Sequence, residues 1–226
     1  ASDVYKRQGI DCALLYRPRY YQLSDARPHP VRLKGEEYIK TRDVLEVNGL
    51  LLGEPVTFLV AHWPSRVGGE QVSLKRRLQA AEVMRSVTDS LLTADPKNKV
   101  ILMGDFNDDP TNSAFKKVLK TKADKKKVAP GDLYNPMEHL FKKGIGTLAY
   151  RDSWSLFDQF ILTYGYIGHE VKGYKYWRAG VFNSPELANP SGRFAEYPFR
   201  SYANGSYTGG YSDHFPVYLF LIKLSE

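Results

Sequence analysis

The sequence has little of what several protein classes need. Its 226 residues include one cysteine, Cys12, so no disulfide can form within the chain. No apolar run approaches the length that crosses a bilayer, and the chain does not open on a basic segment followed by an apolar one. These absences exclude a disulfide scaffold and a membrane-spanning segment. Because Cys12 stands in the apolar stretch CALLY, we expect a small core residue there rather than a nucleophile.

The composition that is present describes one globular domain with a basic surface. Hydrophobic residues make up 42% of the chain and charged residues 25%, enough for a single substantial core. The formal net charge of +7 would attract a polyanion at long range, which mildly favours phosphate esters or nucleic acid as partners. Much of the excess lies in residues 115–127, FKKVLKTKADKKK. Such a run is usually a solvated helix face or loop, and a nucleic-acid patch is the alternative.

The most informative segment is VILMGDFNDDP, from Val100 to Pro110. Its four leading apolar residues do not alternate with polar ones, which predicts a strand buried on both faces, and Gly104 permits a sharp turn. The strand therefore delivers Asp105 and Asn107 to its end. A carboxylate beside a carboxamide suits phosphoryl chemistry, because one can position a water and the other can donate to a phosphate oxygen. The alternative is a turn rich in Asp and Asn that caps its own backbone.

Compatible residues recur at other strand ends. The run PVTFLVAH ends on His62, the strand-like segment SLFDQFILT carries Asp158, and Asp213 and His214 stand directly before an apolar final strand. Each residue alone is more often structural than catalytic. Their repeated position beside strands predicts a shared site.

The motifs HWPSR, GDFNDDP, FDQFIL and SDHFPVY, in this order, resemble the endonuclease/exonuclease/phosphatase superfamily, from about Gly9 to Lys223. The resemblance implies an α/β fold, a two-sheet α/β sandwich of the deoxyribonuclease-like type with its site at one edge. It also implies metal-assisted attack of water on a phosphoester without a covalent intermediate.

The resemblance assigns roles to the strand-end residues. Asp105 matches the carboxylate that orients or activates the attacking water, and Asn107 matches the amide that holds water and phosphate. His62 and His214 match the donors to the phosphoryl oxygens, and Asp158 matches the carboxylate that pairs with the second of them. These roles suit the side chains, since a carboxylate partner fixes the tautomer of an imidazole and raises its basicity.

A metal and three substrate contacts are implied as well. Asp213 matches a residue that helps to hold a divalent cation, for which Mg²⁺ is the natural ion and Mn²⁺ an alternative. Arg77 matches a family arginine, and Arg66 lies in the Gly-rich turn HWPSRVGG; either could grip a phosphate, and a surface salt bridge is the alternative for Arg77. Trp63 could stack on a base or sugar, or wall the pocket.

One departure from the family concerns the beginning of the chain. The superfamily normally starts with a strand bearing an Asn and a later Glu that is the principal metal ligand, and neither is recognisable here. Glu36, Glu37, Glu46 and Glu54 lie in polar, hairpin-like surroundings, so we expect them to be solvated. We interpret residues 1–8 as a leader or junction and residues 9–226 as the C-terminal portion of a truncated family domain. Localisation stays open, with a secreted or cell-envelope protein included.

The predicted function is therefore a Mg²⁺-dependent phosphoester hydrolase that acts as a monomer. The HWPSRVGG form is most similar to bacterial members, which favours a nuclease or general phosphodiesterase. A sugar or inositol phosphatase, or a sphingomyelinase-type phosphodiesterase, is the alternative, because substrate choice lies in loops. A binding module or catalytically silent fragment is the alternative of another class.

The periodicity also predicts individual elements. Residues 164–211, rich in Tyr, Gly, Pro and Asn, are expected to be irregular and to build the substrate pocket. The predicted regular elements are a strand at Gly9–Tyr16, a hairpin of Arg42–Val47 and Val56–His62, a helix at Ser73–Ala94 capped by Ser73, and a second helix at Thr111–Leu119.

Overall fold

The computed structural model describes residues 11–203 and 205–223. Runs rich in β-branched and aromatic residues form most of the strands, as their propensity favours. The longer elements begin with the strands β1, Tyr21–His29, β2, Val44–Leu51, and β3, Glu54–His62, followed by the helix α1, Glu70–Ala94, and the strand β4, Val100–Asp105. Further along are β5, Leu133–Tyr134, α2, Met137–Lys142, β6, Leu148–Tyr150, β7, Ser153–Ser155, β8, Asp158–Thr163, β9, Lys175–Val181, β10, Tyr202–Ala203, β11, Ser206–Tyr207, and β12, Val217–Ile222.

A six-stranded sheet forms the centre of the molecule, in the order β1, β2, β3, β4, β8, β5. The pair β3 and β4 is parallel, and α1 makes the connection between them, whereas the other neighbours in this sheet are antiparallel. Strands β9 and β12 form a separate antiparallel pair. Successive strand residues point to opposite faces of a sheet, so the central strands bury side chains on both sides.

Each face of the central sheet packs against a different layer. Leu102 of β4 contributes to a core cluster with Met84 of α1, whereas its neighbour Ile101 joins a cluster on the other face. Tyr176 of β9 and Leu219 of β12 pack against that second cluster. We call the face that carries Ile101 the inner face, because it lies between the two sheets. This layering confirms the predicted two-sheet α/β sandwich.

The hairpin and the main helix were predicted nearly correctly. The two hairpin strands pair as β2 and β3, each longer than expected. The helix ends at Ala94 as predicted but begins three residues early, because Gly69, with a φ of 105°, precedes its first turn. Ser73 does not cap this helix; its hydroxyl donates to the carbonyl of Gly69 at 2.7 Å inside the first turn. The second predicted helix is a short π-helix at Ala114–Leu119.

The predicted strand at Gly9–Tyr16 is wrong in its described part. Residues 11–17 have no regular structure, and the first strand of the described region is β1, which the sequence reasoning missed. Cys12 is half-buried and belongs to neither core cluster. The proposed leader at residues 1–8 lies outside the described residues. Across the described ranges, no helix is both long and apolar enough to span a membrane.

Two of the glutamates that were expected to be solvated are buried in polar networks. Glu46 is 4% exposed and accepts hydrogen bonds from Asn48 at 2.7 Å, with the His29 ring at 2.6 Å from its other oxygen. Glu54 pairs with Lys99 at 2.6 Å. Burying a carboxylate costs free energy unless it is paired, which explains these partners. Both glutamates therefore have structural roles at the sheet.

Candidate active site

Three polar residues lie in one register row across the central sheet. His62 at the end of β3 pairs with Asp105 at the end of β4, and Asp105 pairs with Asp158 at the start of β8. Asp105 is four residues after Ile101, so the two side chains share the inner face. Side chains of one row on one face are close neighbours. The sheet register therefore brings together residues that are far apart in sequence.

A glycine allows this row to form. Gly104 has a φ of 139°, and a side chain at this position would place its Cβ only 1.8 Å from the carbonyl oxygen of Ala61. Strands β3 and β4 can approach at this point because the residue is glycine. The close approach holds His62 beside Asp105, with 3.3 Å between His62 Nε2 and Asp105 Oδ2.

The fourth residue comes from the chain that leads into the other sheet. His214 precedes β12, and its Nδ1 lies 2.7 Å from Asp158 Oδ2. The next residue, Phe215, donates its backbone N–H to the carbonyl of Thr147 at 2.7 Å, which anchors this turn against the chain before β6. Ligand atoms of Asp105, Asp158 and His214 lie within 4.8 Å of one another. Two carboxylates and an imidazole at this spacing could hold a divalent cation.

The environment shifts the protonation of these groups in different directions. Burial, together with the charge of Asp158, raises the pKa of Asp105 to about 6, although His214 opposes the shift. Burial and the nearby cations Arg42 and His214 lower the pKa of His62 to about 4. Burial also disfavours the charged form of His214, but the hydrogen bond and charge of Asp158 outweigh it and raise the pKa to about 8. At neutral pH the site therefore holds an ionised Asp105, a neutral His62 and a protonated His214.

The turn after β4 is held in a fixed conformation. Asn107 has a φ of 49°, which is uncommon for a residue other than glycine. Its backbone N–H donates to Asp105 Oδ1 at 2.9 Å, and its side-chain amide donates to the carbonyl of Trp63 at 3.0 Å. Asn107 is thus buried beside the cluster, with one amide N–H engaged by the protein.

The structure gives Arg77 and Trp63 positions away from any substrate. Arg77 is fully buried, with its Nε 2.8 Å from Asp108 Oδ1 and a second bond to Ser73. Trp63 is 1% exposed and its ring contacts Phe106 with centroids 4.7 Å apart. The predicted phosphate and base contacts of these residues are therefore corrected to core roles, because neither side chain reaches solvent.

Arg66 is engaged by the same turn. Its Nε donates to the carbonyl of Asn107 at 3.0 Å, one terminal nitrogen lies 3.2 Å from Asp109 Oδ2, and its guanidinium lies 4.4 Å from the centroid of the Phe157 ring. With these contacts Arg66 positions the turn rather than offering a free guanidinium to phosphate. Asp213 is exposed beside His214, and it is not part of the cluster of close ligand atoms. Its charge nevertheless acts on the site, because it helps to raise the pKa values of Asp105 and His214.

Arg42 was missed by the sequence reasoning, which placed it only at the start of a strand. Its positive charge is among the causes that lower the pKa of His62, so it lies near the site. Its Nε is buried without a hydrogen-bond partner. The one available signal was a cation directly before β2, on the strand next to β3. Such a signal is weak without the sheet order.

Comparison with known proteins agrees with this architecture. The sequence profile of the Endonuclease/Exonuclease/phosphatase family matches residues 2–223. No curated protein matches the chain. One solved structure is TDP2 of D. rerio complexed with single strand DNA product, with 15% identity and a TM-score of 0.55 over 92% of this chain and 70% of that one. Another is a mannosyl-6-phosphatase of Bacteroides thetaiotaomicron, with 16% identity and a TM-score of 0.54 over 92% and 69%.

A third solved structure is an endonuclease/exonuclease/phosphatase family protein of Bacteroides thetaiotaomicron, with 17% identity and a TM-score of 0.57 over 91% of this chain and 67% of that one. At such identities the structural likeness shows the fold alone. The sequence match covers nearly the whole chain, and the family it identifies is the one whose motifs meet in the register row. The chain therefore belongs to the endonuclease/exonuclease/phosphatase family.

Proposed function

We propose that this protein hydrolyses phosphoester bonds by direct attack of water, with Mg²⁺ as its cation and phosphodiesters of the nucleic-acid type as its preferred substrates. One observation carries the proposal: His62, Asp105 and Asp158 share a register row, and His214 joins the row through Asp158. A base, a cationic donor and a cation-binding pair are the groups that such a reaction needs.

The residues present fit a divalent cation. Asp105 and Asp158 supply hard carboxylate oxygens, which Mg²⁺ prefers, and Asp213 stands close enough to add charge. The raised pKa of Asp105, caused by burial and by neighbouring carboxylates, reflects a concentration of negative charge that a cation would offset. When bound, the ion would stabilise the charge that builds on the phosphoryl oxygens. Among the described residues, no glutamate joins this group of ligands.

The chain's own residues divide the proton work. With a pKa of about 6, Asp105 is ionised at neutral pH and is a base matched to that pH, able to orient the attacking water and accept its proton. With a pKa of about 8, His214 is protonated and donates to a phosphoryl oxygen. Asp158 holds His214 in one orientation through the 2.7 Å contact. His62, neutral because burial lowers its pKa, donates without adding charge.

Arg42 replaces Arg66 and Arg77 as the proposed phosphate-binding cation. Its charge reaches His62, and no ion pair is recorded for it among the described residues. A guanidinium without a carboxylate partner keeps its donors for a phosphate.

Two observations support a nucleic-acid type of substrate: the net charge of +7, and the structural neighbour that was solved with a single strand DNA product. A sugar phosphatase is the second candidate, because another neighbour is a mannosyl-6-phosphatase. The missing glutamate ligand keeps a binding module as the alternative of another class.

The test uses three substrates with Mg²⁺ present: bis(p-nitrophenyl) phosphate, a short thymidine oligonucleotide and mannose 6-phosphate. We expect hydrolysis of the two diesters, and loss of that hydrolysis in Asp105→Asn. An oligonucleotide substrate should also give a KM that rises with salt in proportion to the phosphates contacted. Hydrolysis of mannose 6-phosphate alone would replace the nuclease proposal by the phosphatase. No hydrolysis of any of the three would contradict the enzyme proposal.

A further inference from the structure

A second cavity opens beside the active site, on the side of residues 189–208. It has a volume of ≈ 400 Å³ and lies between the turn that joins β6 to β7 and the irregular loop before β12. Residues 164–211 were expected to build the substrate pocket, and this cavity is formed in part by that segment. It is separate from the register row of catalytic residues, none of which lines it.

The lining of this cavity exposes aromatic rings together with guanidinium groups. Tyr150 is 64% exposed and Phe194 is 53% exposed, and each has an arginine near its ring. The guanidinium of Arg151 lies 5.3 Å from the centroid of Tyr150, and that of Arg193 lies 5.7 Å from the centroid of Phe194. Exposed aromatic surface has an unfavourable hydration free energy, so a cluster of it beside a cavity indicates a ligand that covers it.

The charge of the cavity favours an anionic ligand with more than one phosphate. Arg151, Arg193 and Arg200 line it, against one carboxylate, Asp152, which already accepts a hydrogen bond from Tyr197 at 2.6 Å. Within residues 11–203 and 205–223, none of the three arginines has a recorded ion pair. A monosaccharide phosphate offers one anionic group, whereas a nucleic-acid strand offers one for each nucleotide.

A chain of ring contacts joins this cavity to the catalytic row. Tyr197 in the lining packs on Trp154 with centroids 5.6 Å apart, and Trp154 stacks on Phe215 at 6.2 Å with an interplanar angle of 13°. Phe215 directly follows His214 in sequence. Two ring contacts therefore separate the cavity from the neighbour of a catalytic histidine, and a strand with its phosphate at His214 could place a flanking nucleotide in the cavity.

We infer that this cavity binds a base of a single-stranded nucleic acid, stacked on Tyr150 or Phe194, with the flanking phosphates on the three arginines. The inference rests on the proposed function, since it names the substrate class of the same enzyme. Stacking on aromatic rings inside a positively charged groove is the general mode by which proteins bind single strands without reading their sequence. The cavity is thus a subsite for a base away from the scissile phosphate.

Binding of a fluorescein-labelled, eight-nucleotide thymidine oligomer, measured by fluorescence anisotropy in EDTA, tests the stacking. We expect Phe194→Ala to weaken binding at least about fivefold, the loss typical of one base stacked on an aromatic ring. Trp177→Ala is the matched control, because Trp177 is also 53% exposed but lies on β9, outside the cavity; we expect it to bind as the wild type does. An abasic strand of the same length should bind wild type and Phe194→Ala equally.

The charge part has its own readout. Arg193→Gln should reduce the slope of log affinity against log salt by about 0.7, the value for one phosphate of a single strand. Arg178→Gln, an exposed arginine on β9, should leave the slope unchanged. Thermal melting of each variant confirms that it is folded.

Several outcomes would overturn the inference. Equal binding by Phe194→Ala and Trp177→Ala would do so, and so would a Phe194→Ala loss that persists with the abasic strand. Hydrolysis of bis(p-nitrophenyl) phosphate by the wild type separates the two proposals. Hydrolysis without Phe194-dependent binding refutes the base subsite and leaves the proposed reaction standing. Phe194-dependent binding without any hydrolysis supports the subsite and refutes the reaction.

Discussion

Replacing the Asp158 carboxylate by a carboxamide should remove the charge that keeps His214 protonated while keeping the shape of the site. The variant Asp158→Asn still offers an oxygen that can accept a hydrogen bond from Nδ1–H of His214. Burial by itself lowers the pKa of His214, and the hydrogen bond and charge of Asp158 raise it to about 8. Without that charge we expect the pKa to fall to about 6.5, the ordinary value, or below.

The size of the effect follows from this difference. A change from about 8 to about 6.5 corresponds to about 2 kcal/mol of preference for the charged ring, and His214 is buried enough to keep most of it. At pH 7.5 the protonated fraction of His214 would fall about eightfold, so the alkaline limb of kcat/KM should move to lower pH. The raised pKa also stabilises the folded wild type. That contribution is fully present below pH 6.5 and is lost as the pH rises through 8, so Asp158→Asn should flatten the pH dependence of unfolding over this window.

The assay is an NMR titration of the protein labelled with ¹³C-histidine, in the presence of a chelator. The chain has five histidines, so the signals can be assigned by substitution, with His214→Gln identifying the relevant one. His29, His139 and His169 are internal controls whose titration curves should match the wild type. If the His214 curve does not move in a folded Asp158→Asn protein, the reasoning that ties its charge to Asp158 is refuted.

Four further results are expected. Asp105→Asn should lower kcat on bis(p-nitrophenyl) phosphate by about 10² or more, as loss of a general base does, whereas Asp89→Asn, on the exposed side of α1, should leave it unchanged; equal losses would indicate a folding defect. Arg42→Gln should raise KM about tenfold with a smaller effect on kcat, because one charged contact to phosphate is lost, and an unchanged KM would remove Arg42 from the substrate site. Arg77→Met should lower the free energy of unfolding in urea by about 3–5 kcal/mol by leaving Asp108 buried and unpaired, with KM unchanged; a KM effect without destabilisation would restore Arg77 as a substrate contact. EDTA should abolish turnover, and Mg²⁺ or Mn²⁺ should restore it; turnover that survives full chelation would contradict the metal dependence.

The strand-end residues could be predicted from sequence because each belongs to a local pattern. Asp105 follows an uninterrupted apolar run, and His214 precedes another, so position beside a strand can be read within about ten residues. Their meeting could not be derived in the same way. It depends on the order β3, β4, β8, which pairs His62 with Asp105 and Asp105 with Asp158 through contacts between distant segments. Here the family motifs supplied what local periodicity cannot.

The arginines show the opposite case. Arg77 carries the right functional group at a plausible place, but its partner Asp108 is 31 residues away and both side chains are fully buried. No local pattern separates a guanidinium that binds phosphate from one that binds a buried carboxylate. Arg42 has the complementary problem, because its nearness to His62 follows from β2 lying beside β3 and not from its neighbours in sequence.

The cations that do not face the substrate still determine the geometry of the site. Asn107 keeps a φ of 49°, a conformation that costs free energy for a residue other than glycine and persists only when its surroundings fix it. Arg66 binds the carbonyl of Asn107 from one side, and its guanidinium lies over Phe157, the residue before Asp158. One side chain thus links the turn after β4 to the start of β8, the two segments that carry the cluster's carboxylates. Because the backbone of the turn also donates to Asp105, Arg66 positions both carboxylates together through these neighbours.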